Sequence, residues 1–199
     1  MQKTENKAIM NQIESHPFTP FLPERAKLLM LGTFPPAPKR WCMEFYYPNF
    51  TNDMWRIMGI CFFNDKQYFV NADAKTYRLD DIICFLNERG IALYDTCTKI
   101  CRTKNTASDK DLEVVERTDL DAMLRKLPQC KAVITAGQLA TSLFCEHYSI
   151  REPKVGEYSE FWLDNRKMRI YRMPSSSRAY PMKTEKKAEA YNEVFREYM

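Results

Sequence analysis

The sequence lacks any apolar run that approaches the roughly 18 residues of a membrane span. Its polar beginning, MQKTENKAIMNQIESH, also lacks the apolar core of a secretory signal. These two absences argue against a membrane partner and against export. We therefore expect a soluble, cytoplasmic protein.

Metal-binding patterns are scarce as well. The chain has two histidines and seven cysteines, an odd number, and it has no Cys-x-x-Cys pair. Cys97 and Cys101 alone are close, and we favour reduced structural thiols over an iron-sulfur or zinc site because the ligand spacing is missing. The sequence thus predicts no metal and no redox cofactor.

Glycine is rare, with five residues in the whole chain. Gly32 opens the stretch GTFPP, where it permits a tight turn while Pro35 and Pro36 hold the exit extended. The stretch has neither the lysine nor the further glycines of a phosphate-binding P-loop, which argues against nucleotide hydrolysis. A plain strand-ending turn and a rigid binding loop both stay open for it.

The composition is that of a globular protein. Of the 199 residues, 45% are apolar and 28% are charged. This length suits one domain with a substantial core. We expect a single, monomeric domain over residues 1–199, with residues 1–26 as an N-terminal extension that packs on it.

Apolar runs and helical periodicities alternate along the chain. Four short runs have the length and composition of buried strands: residues 27–32, 91–96, 131–137 and 168–174. Helices are indicated around residues 79–89, around 120–127 with Thr118 as the cap, through QLATSLFCEH after Gly137, and from about Thr184. This alternation predicts an α/β fold, a three-layer sandwich with a central four-stranded parallel sheet flanked by helices.

Ligands of such sheets bind beyond the carboxyl ends of the strands. Three strand ends run into unusual stretches that we expect to converge at one edge: GTFPPAPKRW, DTCTKICRTK and PSSSRAYP. The aromatic stretch FYYPNFTNDMW, residues 45–55, follows the first of them. Within it Asn52 precedes a predicted helix, so it is either an N-cap or a polar group of the site.

Positive charge is concentrated near the C-terminus. Residues 165–187 contain eight basic residues and one glutamate, a local net charge of +7 in a chain of net charge +4. Such a window suits a face that binds a polyanion, although a solvated basic surface is equally plausible. Its segment PSSSRAYP offers hydroxyls and an arginine for phosphate oxygens. The segment lacks the context of a serine nucleophile, and neither His16 nor His147 has a recognisable arrangement with it.

In order, the motifs LMLGTFPP, FYYPNFTNDMWRIMG, GIALYDT, KAVITAGQLATSLF and YRMPSSSRAY resemble the uracil-DNA glycosylase superfamily. The likeness is to the branch of mismatch-specific uracil-DNA and hypoxanthine-DNA glycosylases, and it spans about residues 27–198. It implies a monofunctional DNA glycosylase of base-excision repair, associated with the nucleoid, which flips a deaminated base such as uracil or hypoxanthine out of DNA and hydrolyses its N-glycosidic bond. Such enzymes need no cofactor.

The resemblance also assigns roles to individual positions. Many members have a water-positioning Asn or Asp where this chain has Phe34, and the hypoxanthine-type branch uses an asparagine that corresponds to Asn52. Tyr47 falls where relatives stack a ring on the flipped base, and Asn49 falls where some have a histidine. The resemblance thus implies Asn52 as a catalytic group, and it implies base-binding by Gly32, Thr33, Phe34, Pro35, Tyr47 and Asn49. Asp95 ends the second predicted strand, so it is either a second catalytic group or a residue that fixes the following loop. For DNA-binding it implies Pro174, Ser175, Ser176, Ser177, Arg178 and Lys183, with Arg178 or Tyr180 filling the gap in the base stack.

Two further hypotheses stay open. The chain is alternatively a nucleic-acid-binding protein of the same fold that lost catalysis together with the polar residue at position 34. An enzyme that acts on free nucleosides or another small substrate is the other alternative, although a small neutral substrate does not need the +7 window.

Overall fold

The computed structural model describes residues 12–104, 106 and 108–199. The elements in these ranges are, in chain order, β1 (Ile13–Ser15), β2 (Leu28–Gly32), α1 (Met54–Phe63), β3 (Val70–Asn71), β4 (Thr76–Tyr77), α2 (Leu79–Arg89), β5 (Ile91–Asp95), β6 (Cys97–Arg102), β7 (Leu112–Arg117), α3 (Leu120–Arg125), β8 (Ala132–Ala136), α4 (Gln138–His147), β9 (Tyr158–Leu163), β10 (Arg166–Met173) and α5 (Thr184–Tyr198). Short 3₁₀ turns cover Pro38–Arg40 and Asp109–Asp111.

The central sheet has the strand order β5-β2-β8-β10-β9. Its first four strands are parallel, and they are the four that the apolar runs predict. The sheet also has a fifth strand, because β9 pairs antiparallel with β10 across a turn in which Asp164 adopts a positive φ of 52°. The fold is therefore a mixed α/β fold around a mostly parallel sheet, with one more strand than the predicted four.

Helices cover both faces of this sheet. Phe161 of β9 lies opposite Met168 of β10, and its ring meets Phe144 of α4 edge-on at 5.0 Å. Tyr171 is three residues beyond Met168, so its side chain points to the other face, where its ring lies 5.9 Å from that of Tyr198 in α5. The buried core runs through all five strands and both helical layers.

The end of α2 is where the sequence predicts it, whereas the cap of α3 differs from the predicted residue. Helix α2 ends where Gly90 adopts a left-handed φ of 67°, as the Arg89-Gly90 pair predicts. Thr118 is not the cap of α3; the cap is Asp119, whose Oδ1 accepts a 2.9 Å hydrogen bond from the Ala122 amide. The Thr118 hydroxyl instead donates to the Asp95 carbonyl at 2.7 Å, because the chain passes beside the end of β5 there.

A second, antiparallel sheet of order β1-β6-β7 lies beside the end of β5. The stretch DTCTKICRTK, expected as a loop, is mostly β6, because Cys97, Ile100 and Arg102 bury their side chains against neighbouring elements. Strand β1 pairs with β6, and Phe21 bridges Leu93 of β5. Residues 12–26 therefore pack on the rest of the molecule; residues 1–11 of the expected extension lie outside the described residues.

None of the helices in the described ranges combines the length and the apolar character that a bilayer crossing requires. In the same ranges, no three His, Cys, Asp or Glu side chains are grouped so that they could hold a metal ion.

Candidate active site

The carboxyl edge of the parallel strands has a topological switch point between β2 and β8, which we call the crevice. The chain leaves β2 toward β5 on one side and leaves β8 toward β10 on the other, so the two connections diverge. Ligands of open α/β sheets bind at such a switch point. The residues that follow the four strands at this edge are Thr33, Thr96, Gly137 and Pro174.

The first loop, residues 32–35, is held firmly at this edge. The Gly32 carbonyl accepts hydrogen bonds from Thr96, and the Thr33 carbonyl accepts one from the Cys97 amide at 3.2 Å. Arg102 donates to the Pro35 carbonyl at 2.6 Å. These contacts fix the loop against β6, so it is a rigid wall of the crevice.

Phe34 in this loop is half-buried. Its ring meets the His16 ring edge-on at 5.2 Å, and the Arg102 guanidinium lies 5.7 Å from its centroid. It also packs against the small apolar cluster of Cys97, Ile100 and Leu143. Phe34 therefore packs where the second sheet meets α4, and it brings no polar group to the crevice.

Asp95 ends β5, and its side chain is almost fully buried. Its Oδ2 lies 2.9 Å from Nε2 of His16, a residue of the N-terminal segment that is 79 positions away. Its Oδ1 lies against Gly32, where an added Cβ would come within 2.4 Å of that oxygen. Glycine at position 32 therefore serves close packing with Asp95. Sequence reasoning missed His16 as the partner, because no local pattern links the two positions.

Asp109 is a second carboxylate at the crevice, and sequence reasoning missed it too. Its Oδ2 accepts a 2.7 Å hydrogen bond from the Thr33 hydroxyl and would lie 3.7 Å from a Cβ added to Gly137. It thus sits between the ends of β2 and β8. Desolvation raises the pKa of Asp109, and the negative charge of Asp95 raises it further, against the opposing effects of Thr33 and Arg102. The one sequence signal is an acidic pair in a polar stretch, which is typical of any surface turn.

Tyr47 and Asn49 belong to the aromatic stretch. Tyr47 has a left-handed φ of 51°, and its ring meets Trp55 edge-on at 6.0 Å. Desolvation raises the pKa of Tyr47 well above its usual value, with smaller contributions from Tyr191 and Asp95. Asn49 serves a turn: its Oδ1 accepts hydrogen bonds from the amide and the hydroxyl of Thr51, both at 2.9 Å.

Asn52 stands at the start of α1. Its Oδ1 accepts a 2.9 Å hydrogen bond from the Met54 amide, which satisfies one of the free N–H groups of the first turn. Its carbonyl accepts from Arg56 and Tyr77. Within the described residues, Nδ2 of Asn52 makes no hydrogen bond. The side-chain oxygen therefore caps the helix, and the amide nitrogen is left to bind another group.

The loop after β10 is docked on the same helix start. The Asp53 amide donates to the Ser176 carbonyl at 2.8 Å, and the Asp53 carboxylate lies 3.2 Å from Arg178 and 3.0 Å from Lys187. Lys187 also donates to the Ser177 carbonyl at 2.8 Å. Ser177 and Arg178 stay exposed at the edge. The predicted positions Asn52 and Pro174–Arg178 are thus neighbours, joined through a buried pair, Asp53 and Lys187.

The basic window does not form one face. Its first residues lie at the amino-terminal end of β10, where Arg166 donates to the carbonyls of Leu124 and Leu127 and Lys167 pairs with Glu160. Lys187 is buried. At the carboxyl end of β10, Arg172 is engaged by Gln138 and Glu152, whereas Arg178, in the loop after β10, and Lys183, just before α5, are exposed.

A cavity of about 540 Å³ opens at the opposite end of the sheet. Its lining includes Lys27, Lys131, Arg166 and Tyr198, which precede the parallel strands or end α5. It shares no residue with the predicted site. The carboxyl edge instead brings together the carboxylates of Asp95 and Asp109 and the exposed hydroxyl of Ser177.

Two of the three comparisons with known proteins gave no match: neither a protein-family model nor a curated protein sequence matches the chain. The structure is similar to the solution NMR structure of a candidate uracil DNA glycosylase from Methanosarcina acetivorans, with a TM-score of 0.63 and 19% sequence identity. The match covers 94% of this chain and 99% of that chain. At this identity the likeness establishes a shared fold.

Proposed function

We propose that this protein is a DNA glycosylase that hydrolyses the N-glycosidic bond of a deaminated base, uracil or hypoxanthine. The observation that carries the proposal is the grouping at the switch point between β2 and β8 of the buried Asp95 carboxylate, the partly buried Asp109 carboxylate and Tyr47 with an exposed Ser-Arg loop. The fold shared with a candidate uracil DNA glycosylase supports it. The motif resemblance points to the same class of enzyme.

The proposed reaction exchanges the base for water at the sugar C1′ atom. The bond between C1′ and the base nitrogen breaks, its electron pair leaves with the base, and the sugar acquires oxocarbenium character. The buried negative charge of Asp95 stabilises this cationic centre, and hydrogen-bond donors stabilise the departing base. The Nδ2 group of Asn52 is such a donor, and the N-terminus of α1 favours a departing anion.

The rest of the site binds the substrate. Tyr47 stacks on the flipped base, and the rigid loop of Gly32, Thr33, Phe34 and Pro35 contacts its edge. Asn49 orders the turn that leads from Tyr47 to Asn52. Ser175 and Ser177 hold phosphate oxygens, while Arg178 and Lys183 neutralise phosphate charge. No lysine nucleophile is involved, so the enzyme is monofunctional and does not cleave the strand.

A second function is favoured by one observation, the apolar residue at position 34. If Phe34 replaces the only group that can activate water, the protein binds damaged DNA without catalysis. Salt-dependent DNA binding with no base release would identify this alternative.

The deciding experiment is a panel of labelled duplex and single-stranded oligonucleotides that contain uracil, hypoxanthine, xanthine or no lesion. Each is incubated with excess protein, and half of each sample is treated with hot alkali. We expect a lesion-dependent abasic site that is cleaved only after alkali. Asp95→Asn should be at least about 100-fold slower, as expected for loss of a group acting in the transition state. Base release from no lesion at all would overturn the proposal.

A further inference from the structure

A group that activates water must have a free acceptor and access to the crevice. Asp95 lacks the first, because Oδ2 is engaged by His16 and Oδ1 packs against Gly32. In Asp109, Oδ2 is engaged by Thr33, whereas Oδ1 accepts no hydrogen bond from the described residues. Asp109 is only partly buried, so its side chain has some access to solvent.

Asp109 lies next to the first loop, residues 32–35, which has no carboxylate or amide side chain of its own. Thr33 immediately precedes Phe34, and its hydroxyl holds Asp109 at 2.7 Å. The segment between β6 and β7 therefore places this carboxylate beside position 34, between Thr33 after β2 and Gly137 after β8.

We propose that Asp109 is the catalytic residue that binds and deprotonates the attacking water, with Thr33 as its positioning residue. The proposal rests on the glycosylase function proposed above. In this step the water oxygen bonds to C1′ and one water proton passes to Oδ1 of Asp109. The base leaves with the electron pair of the broken bond and takes up a proton from solvent. The products are the free base and an abasic sugar with a hydroxyl at C1′.

The surroundings of Asp109 suit a general base. Desolvation and the charge of Asp95 raise the pKa of Asp109, which strengthens its carboxylate as a proton acceptor. Among the described residues, the charged groups that act on Asp109 are Asp95 and Arg102. Asp95 pairs with His16 at 2.9 Å, and Arg102 pairs with Glu14 at 2.9 Å. Arg102 offsets part of the repulsion between the two carboxylates.

The test is single-turnover base release on whichever lesion the wild-type protein processes, for Asp109→Asn, Asp109→Glu and Thr33→Val. We expect Asp109→Asn to slow release by about 10²- to 10⁴-fold, the usual contribution of a general base, with unchanged affinity for the lesion oligonucleotide. Asp109→Glu should recover part of the rate and shift the acidic limb of the pH–rate profile. Thr33→Val should lower the rate less than Asp109→Asn.

Asp111→Asn is the matched control. Asp111 belongs to the same 3₁₀ turn, but its carboxylate is engaged by Thr106 at 2.5 Å and lies 3.4 Å from Lys104. We expect its rate within about twofold of wild type. An active wild type with a nearly unaffected Asp109→Asn, or an equal loss in Asp111→Asn, would overturn the role of Asp109. An inactive wild type would instead overturn the proposed function itself, and this inference with it.

Discussion

Lys187 Nζ lies 3.0 Å from Oδ2 of Asp53, and both side chains are almost completely shielded from solvent. The pair joins α5 to the start of α1, and Lys187 also holds the Ser177 carbonyl. It therefore fixes the loop after β10 relative to the aromatic stretch. Arg178, which is mostly exposed, shares the same carboxylate from the solvent side.

We expect Asp53→Asn to lower the free energy of unfolding by about 3–5 kcal/mol, because it leaves the Lys187 ammonium buried without its counter-charge. Lys187→Met should cost less, since Arg178 still neutralises Asp53. The measurement is urea unfolding followed by circular dichroism. Lys186→Met is the control: Lys186 is exposed and pairs with Glu189 on the helix surface, so the change should stay within about 0.5 kcal/mol. Equal effects at positions 186 and 187 would contradict the buried pair.

Gly32→Ala should disturb Asp95 directly. The added Cβ would come within 2.4 Å of Oδ1, and Asp95 is held from its other side by His16. We expect a loss of about 1–3 kcal/mol of unfolding free energy, as in other overpacked sites. In the double variant Gly32→Ala/Asp95→Ala the clash is absent, so the two effects should not add. Simple additivity in urea unfolding would show that the two residues do not interact.

Asp109→Asn should stabilise the protein at neutral pH. The folded-state pKa of Asp109 is raised above its ordinary value, so the folded state binds more protons than the unfolded state between these two pKa values. Stability therefore falls as pH rises through this window, and the full cost is present above the folded pKa. The asparagine variant has no charge to bury, so it does not bear this cost. The difference between its thermal midpoint and that of the wild type should therefore be larger at pH 7 than at pH 4. An advantage that grows on acidification would contradict the burial of this carboxylate.

The parts of the fold that the sequence predicts are those with local signals. Continuous apolar runs identify β2, β5, β8 and β10, and 3.6-residue periodicity identifies the helices that follow. Strand β9 went unpredicted, because its exposed Tyr158 and Trp162 alternate with buried Phe161 and Leu163 and so give no continuous run. Pairing with β10 decides its structure, and that pairing depends on the turn between the two strands.

The candidate site likewise has parts that the sequence predicts and parts that it does not. The loops at residues 32–36 and 174–178 were predictable, because parallel strands bring their carboxyl ends to one edge. The pairs that set its electrostatics were not: His16 is 79 residues from Asp95, and Asp109 is 76 residues from Thr33. Such pairs arise from tertiary packing of polar segments, which have no periodicity of their own.

Asn52 caps a helix, and variants at this position separate that role from its proposed hydrogen bond to substrate. Asn52→Ala should destabilise the protein by about 1 kcal/mol through loss of the cap on Met54. Asn52→Asp keeps the acceptor oxygen and should keep the stability, but it replaces the donor amide by a carboxylate. We therefore expect base release by Asn52→Asp to be at least about tenfold slower at near wild-type stability. Full activity in Asn52→Asp would limit this residue to capping.

The placement of the basic residues gives a prediction for DNA binding. Arg178 and Lys183 lie at the carboxyl edge, whereas Lys167 lies at the far end of β10 and pairs with Glu160. Each phosphate contact contributes about 0.9 to the slope of log K against log salt concentration on duplex DNA. Arg178→Ala and Lys183→Ala should each reduce the slope by about this amount in fluorescence anisotropy titrations.

Lys167→Ala is the matched control, because it removes the same charge from the same basic window at the other end of the sheet. We expect it to leave the slope unchanged, since DNA bound over the crevice between β2 and β8 does not reach it. If Lys167→Ala reduces the slope as much as Arg178→Ala, the DNA binds through the window as a whole or at the cavity near Lys131 and Arg166. The proposed crevice would then not be where the protein meets the DNA backbone.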